Sequence, residues 1–341
     1  MPRLSRRQFL NVSTALAVLA ALPRNLFAEL LSENAPISSF DESSTAEEVT
    51  EGLDLSGKTF VLTGCNSGLG FETMRVLVMR GARVIGTARS QAKAETACAS
   101  VGENAIPEVL DLAEWDTVVA CADRIRAMNI PLDGLICNAG IVSIPQRELV
   151  YGLEKHFVVN HLGHFILANH LSDEVMRAEQ GRFVWVSSRA QFSAPEAGIL
   201  FDDLAWDKTQ YSPGAAYGHS KLANALCSRE MARRLSGSTA TSNSLHPGVI
   251  VTNAIRNMSP FMQWLAKNFG GFVTKTVEEG AATQTYLATH PSLVGVRGYY
   301  FDNCNPAEAS HWVNDEEAAR RVWEVSEELT RDYLPIARVE A

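Results

Sequence analysis

From Leu55 onward, short β-branched apolar runs alternate with longer amphipathic ones. "KTFVLTG" predicts a strand ending in a turn, "FETMRVLVMRG" a helix stopped by Gly81, and "ARVIGTAR" a second strand. "AIPEVLDL", "LDGLICNAG", "GRFVWVSS" and "TSNSLHPG" read as further strands. Helical patterns separate them at "EWDTVVACADRIRAM", "LEKHFVVNHLGHFILANHL" and "AYGHSKLANALCSREMARRL". Strand and helix repeated this often predict an α/β fold: a doubly wound parallel sheet with helices on both faces, in a single domain over residues 55–335. Ligand sites in such sheets lie where the carboxyl ends of the strands emerge.

The N-terminal residues follow a different pattern. Arg6 and Arg7 precede Phe9 and Leu10, and an apolar run without a charge extends from Val12 to Leu22, too short to span a bilayer comfortably. A basic head, a short apolar middle and a small residue at Ala28 predict a twin-arginine-type signal peptide over residues 1–28, and hence a periplasmic or exported protein. A basic amphipathic helix or an uncleaved anchor is the alternative, and Leu26 is not the small residue that cleavage after Ala28 prefers. Residues 29–54 are polar, acidic and rich in Ser and Thr, which predicts a flexible linker.

Composition narrows the class. Of 341 residues, 39 are acidic and 30 basic, giving a formal charge of -9 with no long basic stripe, which argues against a nucleic-acid partner. A small-molecule enzyme fits better. Six cysteines include no CxxC pair and no zinc-ligand spacing, and they read as small buried apolar residues. His156, His161, His164 and His170 crowd one stretch without a carboxylate pattern, so core or surface histidines are expected there rather than a metal site.

Two short stretches carry candidate chemistry. "TGCNSGLG" places Gly64, Gly68 and Gly70 between a strand and a helix, where absent Cβ atoms and helix-end amides suit a pyrophosphate. The spacing is G-x-x-x-G-x-G, not G-x-G-x-x-G, so position after a strand and before a helix carries the argument. In "YGHSK", Tyr217 and Lys221 stand four residues apart on one helical face, which brings an ammonium beside a phenol. An ammonium at about 4 Å and an effective dielectric near 20 is worth about 4 kcal/mol, or roughly three pKa units, enough to bring Tyr217 near neutrality. Taken alone, the pair equally flanks a buried stripe.

Six motifs in order decide between these readings. "TGCNSGLG", "NAG" at Asn138, Ala139 and Gly140, "VVN" ending at Asn160, "VSS" ending at Ser188, "YGHSK" and "HPGVIVT" resemble the short-chain dehydrogenase/reductase family over about Leu55 to Tyr333. "SKLANALCSREMARRL", "GYYFDNC" and "ARRVWEVSEEL" resemble its retinol dehydrogenase-like branch. The resemblance implies a Rossmann-type fold and a catalytic set of Ser188, Tyr217, Lys221 and Asn160. In that set Tyr217 is the general acid/base, Ser188 binds the substrate oxygen, Lys221 also holds ribose hydroxyls, and Asn160 anchors a proton-carrying water. It implies cofactor contacts from Gly64, Asn66, Ser67, Gly68, Leu69, Gly70, Asp111, Leu112, Asn138, Ala139, Gly140, Pro247, Gly248 and Thr252, besides Tyr217 and Lys221.

Cofactor choice turns on Arg89 in "TARS" at the end of the second strand, where no Asp or Glu stands. A guanidinium fork suits a 2′-phosphate, which favours NADP(H) with NAD(H) as the alternative. Met, Phe and Trp residues in 255–274 suit a lid over a lipophilic alcohol, aldehyde or ketone, and equally a packed helix or a homo-oligomer contact. A light-dependent protochlorophyllide reductase-like enzyme and a non-catalytic dinucleotide-binding protein stay open as alternatives.

Overall fold

Near-continuous apolar runs become the central strands. β1 (Thr59–Thr63) and β7 (Arg182–Val186) are buried at every residue, as strands covered on both faces must be. With β2 (Arg83–Ala88), β3 (Ala105–Val109), β4 (Gly134–Cys137), β8 (Thr241–His246), β9 (Tyr300–Asp302) and β10 (Asn305–Pro306) they form one eight-stranded sheet. Its order is β10-β9-β8-β7-β4-β1-β2-β3, parallel throughout except for β10. β1 lies between β2 and β4, so the chain reverses its direction of growth there and opens a crevice at the strand ends. This computed structural model describes residues 35–142, 144–248 and 275–335.

Helices cover both faces, as expected. On one side α3 (Trp115–Ala127), α4 (Gly163–His170), α6 (Pro213–Arg234) and α8 (Glu316–Thr330) bury Val118, Phe165, Leu226 and Trp323 in one cluster. On the other, α1 (Gly68–Met79) and α7 (Val277–Thr289) bury Met74, Leu77 and Tyr286. α2 (Gln91–Val101) and the short α5 (Ser172–Arg177) complete the layers. Among the described residues no helix is long and apolar enough to cross a membrane. All six cysteines are buried, as expected of small apolar residues, and each is free.

Two expectations change. The stretch "LEKHFVVNHLGHFILANHL" is not one helix: Leu153–Glu154 is β6, paired with β5 (Leu149–Val150), and Phe157–Leu162 is a π-helical turn leading into α4. That turn carries Asn160, whose side chain bonds outward to the backbone of Ile141. Single-turn π insertions recur at functional sites. The described part of the expected linker, residues 35–54, is packed against the domain. Ala46 and Val49 are buried, the Ala46 amide donates to Glu278 O at 3.0 Å, and the Ser38 amide donates to Asn305 Oδ1 at 2.7 Å. A few apolar residues, Phe40, Val49 and Leu53 among them, anchor a segment whose average composition is polar. The expected signal peptide, Thr252 and the 255–274 stretch lie outside the described residues.

Candidate active site

The crevice beside β1 is a cleft of about 350 Å3. The turn after β1 supplies Gly64, Asn66 and Ser67, and the first turn of α1 supplies Leu69 and Gly70; Arg89 follows β2; Asp111 and Leu112 follow β3; Asn138, Ala139 and Gly140 follow β4. Thr87, Ala88, Leu110, Ile141 and Val159 also line it, none of them among the expected cofactor contacts. Gly68 opens α1 behind the turn, while Pro247 and Gly248 follow β8 and do not line this cleft.

The turn that opens the cleft is closed tightly on a steric ground. A Cβ at Gly70 would sit 2.2 Å from the Gly64 carbonyl oxygen and 2.6 Å from Asn138 Nδ2, so only a residue without a side chain lets the turn close this tightly. The amino end of α1 then faces the cleft, where its free amides and dipole suit phosphate. Asn138 is held rigidly: its amide donates to Thr63 Oγ1 at 2.9 Å, and its Nδ2 donates to Thr63 O at 2.8 Å. Asp111 Oδ1 accepts the Ala113 amide at 2.9 Å, shaping its own turn. Arg89 is exposed, and among the described residues no hydrogen bond or ion pair engages its guanidinium.

Beyond the cleft, the four residues of the expected catalytic set come together. Pro213 at the first turn of α6 fixes its start, and Tyr217 follows one turn later. Gly218 lets α6 press onto the 3-10 turn Arg189–Ser193, because a Cβ there would meet Ala190 O at 2.3 Å. This contact sets the Ser188 hydroxyl in a hydrogen bond with the Tyr217 hydroxyl. Neighbouring Ser187 is spent elsewhere, donating to Lys221 O at 2.6 Å. Lys221 Nζ lies 5.7 Å from the centre of the Tyr217 ring and donates to Val186 O at 2.8 Å.

Electrostatics depart from expectation. Tyr217 is not near neutrality: burial pushes its phenol up to about 12, with the Ser188 hydrogen bond pulling the other way. Both groups are buried, so desolvation dominates: it is the leading cause of the raised phenol, and it pushes Lys221 down to about 8. Asn160 is fully buried, and both ends of its side-chain amide are engaged. Its Oδ1 accepts the Ile141 amide at 2.8 Å, while its Nδ2 donates to Ile141 O at 3.0 Å and to Ser220 Oγ at 2.9 Å.

The histidines are core residues with individual partners. His161 bonds Ser326 Oγ at 2.8 Å, His170 bonds Tyr333 O at 2.8 Å, and His156 bonds the buried carboxylate of Glu154 at 2.8 Å. Among the described residues no group of His, Cys, Asp and Glu is arranged to hold a metal. The His156 ring stands edge-on to Tyr217, 6.0 Å between ring centres.

Fold and cleft thus define a doubly wound α/β protein with a dinucleotide-type glycine turn. Comparison with known proteins sharpens that class. A short chain dehydrogenase family model matches residues 58–200. The chain is 39% identical over 310 residues to "Short-chain dehydrogenase TIC 32 B, chloroplastic" from Brassica napus, covering 87% of this chain and 96% of that one. It is 37% identical over 285 residues to human "Retinol dehydrogenase 11", covering 82% and 88%. A crystal structure of a putative uncharacterized protein from Mycobacterium Paratuberculosis superposes with a TM-score of 0.68 at 32% identity, covering 84% of this chain and 98% of that one. The chain belongs to the short-chain dehydrogenase/reductase family and is retinol dehydrogenase-like, an oxidoreductase of a family that binds a nicotinamide dinucleotide.

Proposed function

We propose that the protein moves hydride between NADP(H) and a lipophilic alcohol or carbonyl compound, with Tyr217 exchanging the proton. The observation that carries this reading is the Ser188–Tyr217 hydroxyl pair beside Lys221, at the strand ends that also form the glycine cradle. Bound nicotinamide supplies or accepts the hydride. Once the one O–H of Ser188 turns from Tyr217 Oη to the substrate, both hydroxyls donate to one substrate oxygen, where negative charge grows as a carbonyl is reduced. A phenol raised to about 12 is protonated at neutral pH, the form that donates in the reducing direction. The proton passes from Tyr217 Oη to that oxygen, and the phenolate left behind is balanced by the Lys221 ammonium. Asn160 braces Ile141 beside the cleft.

NADP(H) is favoured because Arg89 lines the cleft with an unengaged guanidinium, suited to a 2′-phosphate. A lipophilic substrate is supported by the apolar residues of 255–274 and by relatives named as retinol dehydrogenases. Export is supported by the Arg6–Arg7 pair and the apolar run behind it. Replacing both arginines by lysine and fractionating cells tests it: periplasmic signal should be lost, and an undiminished signal rejects the route.

The deciding experiment is a panel of hydrophobic alcohols and carbonyls with each dinucleotide, followed by nicotinamide absorbance. Turnover with NADP(H) in darkness is expected. Dinucleotide binding with no turnover makes the protein a binder, and pigment-dependent turnover only in light makes it protochlorophyllide reductase-like.

A further inference from the structure

His164 is completely buried on the first turn of α4, outside the expected catalytic set. Its Nε2 lies 2.8 Å from Thr63 Oγ1, and its Nδ1 lies 2.9 Å from Asn160 O. Hydrogen-bond accounting fixes every proton between them. A threonine hydroxyl has one donor and two acceptor sites. Thr63 Oγ1 accepts the Ala139 amide at 2.9 Å and shares the Asn138 amide, 2.9 Å away, with Ile136 O at 3.0 Å, while the Asn160 carbonyl that faces His164 Nδ1 can only accept. Its single proton points to His164 Nε2, since the competing Ile136 oxygen is 3.5 Å away. The imidazole proton therefore sits on Nδ1 and is donated to the Asn160 carbonyl. Burial keeps the ring neutral, holding its pKa down near about 4.

One side chain thus joins two parts of the site. At one end are the amides of Asn138 and Ala139 in the turn that lines the dinucleotide cleft. At the other is the carbonyl of Asn160 in the π-helical turn, whose side chain pins Ile141. We infer that His164 is a positioning residue: through Thr63 it clamps the Asn138–Ile141 turn to the Asn160 turn, setting the distance between the dinucleotide cleft and the catalytic side chains. The inference deepens the oxidoreductase reading and rests on it only where a dinucleotide is concerned.

The test compares His164→Ala, Thr63→Val, Thr63→Ser and the double variant His164→Ala/Thr63→Val. NADP+ affinity by titration calorimetry and amide hydrogen exchange of residues 138–141 are read beside thermal unfolding. His164→Ala and Thr63→Val each weaken NADP+ binding about tenfold and speed exchange of the 138–141 amides, since each leaves buried groups unpaired. Thr63→Ser restores most of both, because the hydroxyl is what the clamp needs. The double variant is no worse than the poorer single one, as for two halves of one device. Additive effects, or unchanged exchange at 138–141 in folded variants, overturn the clamp. Should His164→Ala fail to fold, Thr63→Val against Thr63→Ser decides it. Should the wild type bind no dinucleotide, the oxidoreductase reading falls, while the exchange measurement still judges the clamp.

Discussion

The two sides of the crevice are built from different materials. The nucleotide side, from β1 through the turn after β4, is framed by backbone and glycine, with exposed or half-buried side chains such as Asn66, Ser67, Asp111 and Arg89 along it. The catalytic side, the π turn, the segment after β7 and α6, presents buried side chains with defined partners. Histidine marks the divide: none of the eight lies between residues 58 and 142. A surface made of backbone recognises shape and tolerates changes of chemistry better than changes of volume. A surface made of buried polar groups is sensitive to the loss of single atoms.

Four experiments break or sharpen that contrast. Tyr217→Phe removes one oxygen from the catalytic side and should lower kcat by about 10²–10⁴-fold with NADP(H) affinity nearly unchanged. Steady-state rates beside a binding titration check it, and equal activity removes the proposed acid. Next comes acid. Burial holds His161 near about 3, His164 near about 4, and His219 and His246 near about 3, against about 6.5 in an unfolded chain. The unfolded state therefore binds the protons. Stability is fully present above about pH 6.5 and falls toward pH 4, each group contributing about 1.4 kcal/mol per pH unit in that window. Denaturant midpoints between pH 7 and 5 measure the slope; a flat profile excludes neutral buried histidines.

Smaller effects separate the two sides further. Gly70→Ala adds one methyl against Gly64 and Asn138, and should cost about 1–3 kcal/mol in thermal unfolding together with dinucleotide affinity. If the variant keeps wild-type stability and affinity, the tight cradle is not required. Arg89→Asp should raise the NADP Michaelis constant about tenfold while moving that for NAD much less. An unchanged preference refutes the phosphate role.

Much of this was legible in the sequence because strand and turn patterns are local. β1, the glycine turn and α1 occupy the continuous stretch 59–79, and the alternation from Leu55 predicts their order. Ser188, Tyr217, Lys221 and Asn160 were found through motifs, and the fold gathers them. The raised phenol was not foreseen, since pair spacing gives the Coulomb attraction and says nothing about desolvation. Thr63 and His164, 101 residues apart, form a bond that only tertiary packing creates. The π turn was missed because its apolar pattern is indistinguishable from that of an α-helix.

The packed segment at residues 35–54 bears on how the domain is to be cut. Ala46 shares a small apolar cluster with Val76 of α1 and Ala281 of α7, with Leu69 of the glycine turn against it, and Arg80 reaches back to Glu47 O at 2.9 Å. A recombinant chain started at Leu55 would strip the outer surface of the helix that begins at the glycine turn. Trimming at residue 35 preserves that support, and the twenty residues between the two cuts are structural members of the nucleotide half.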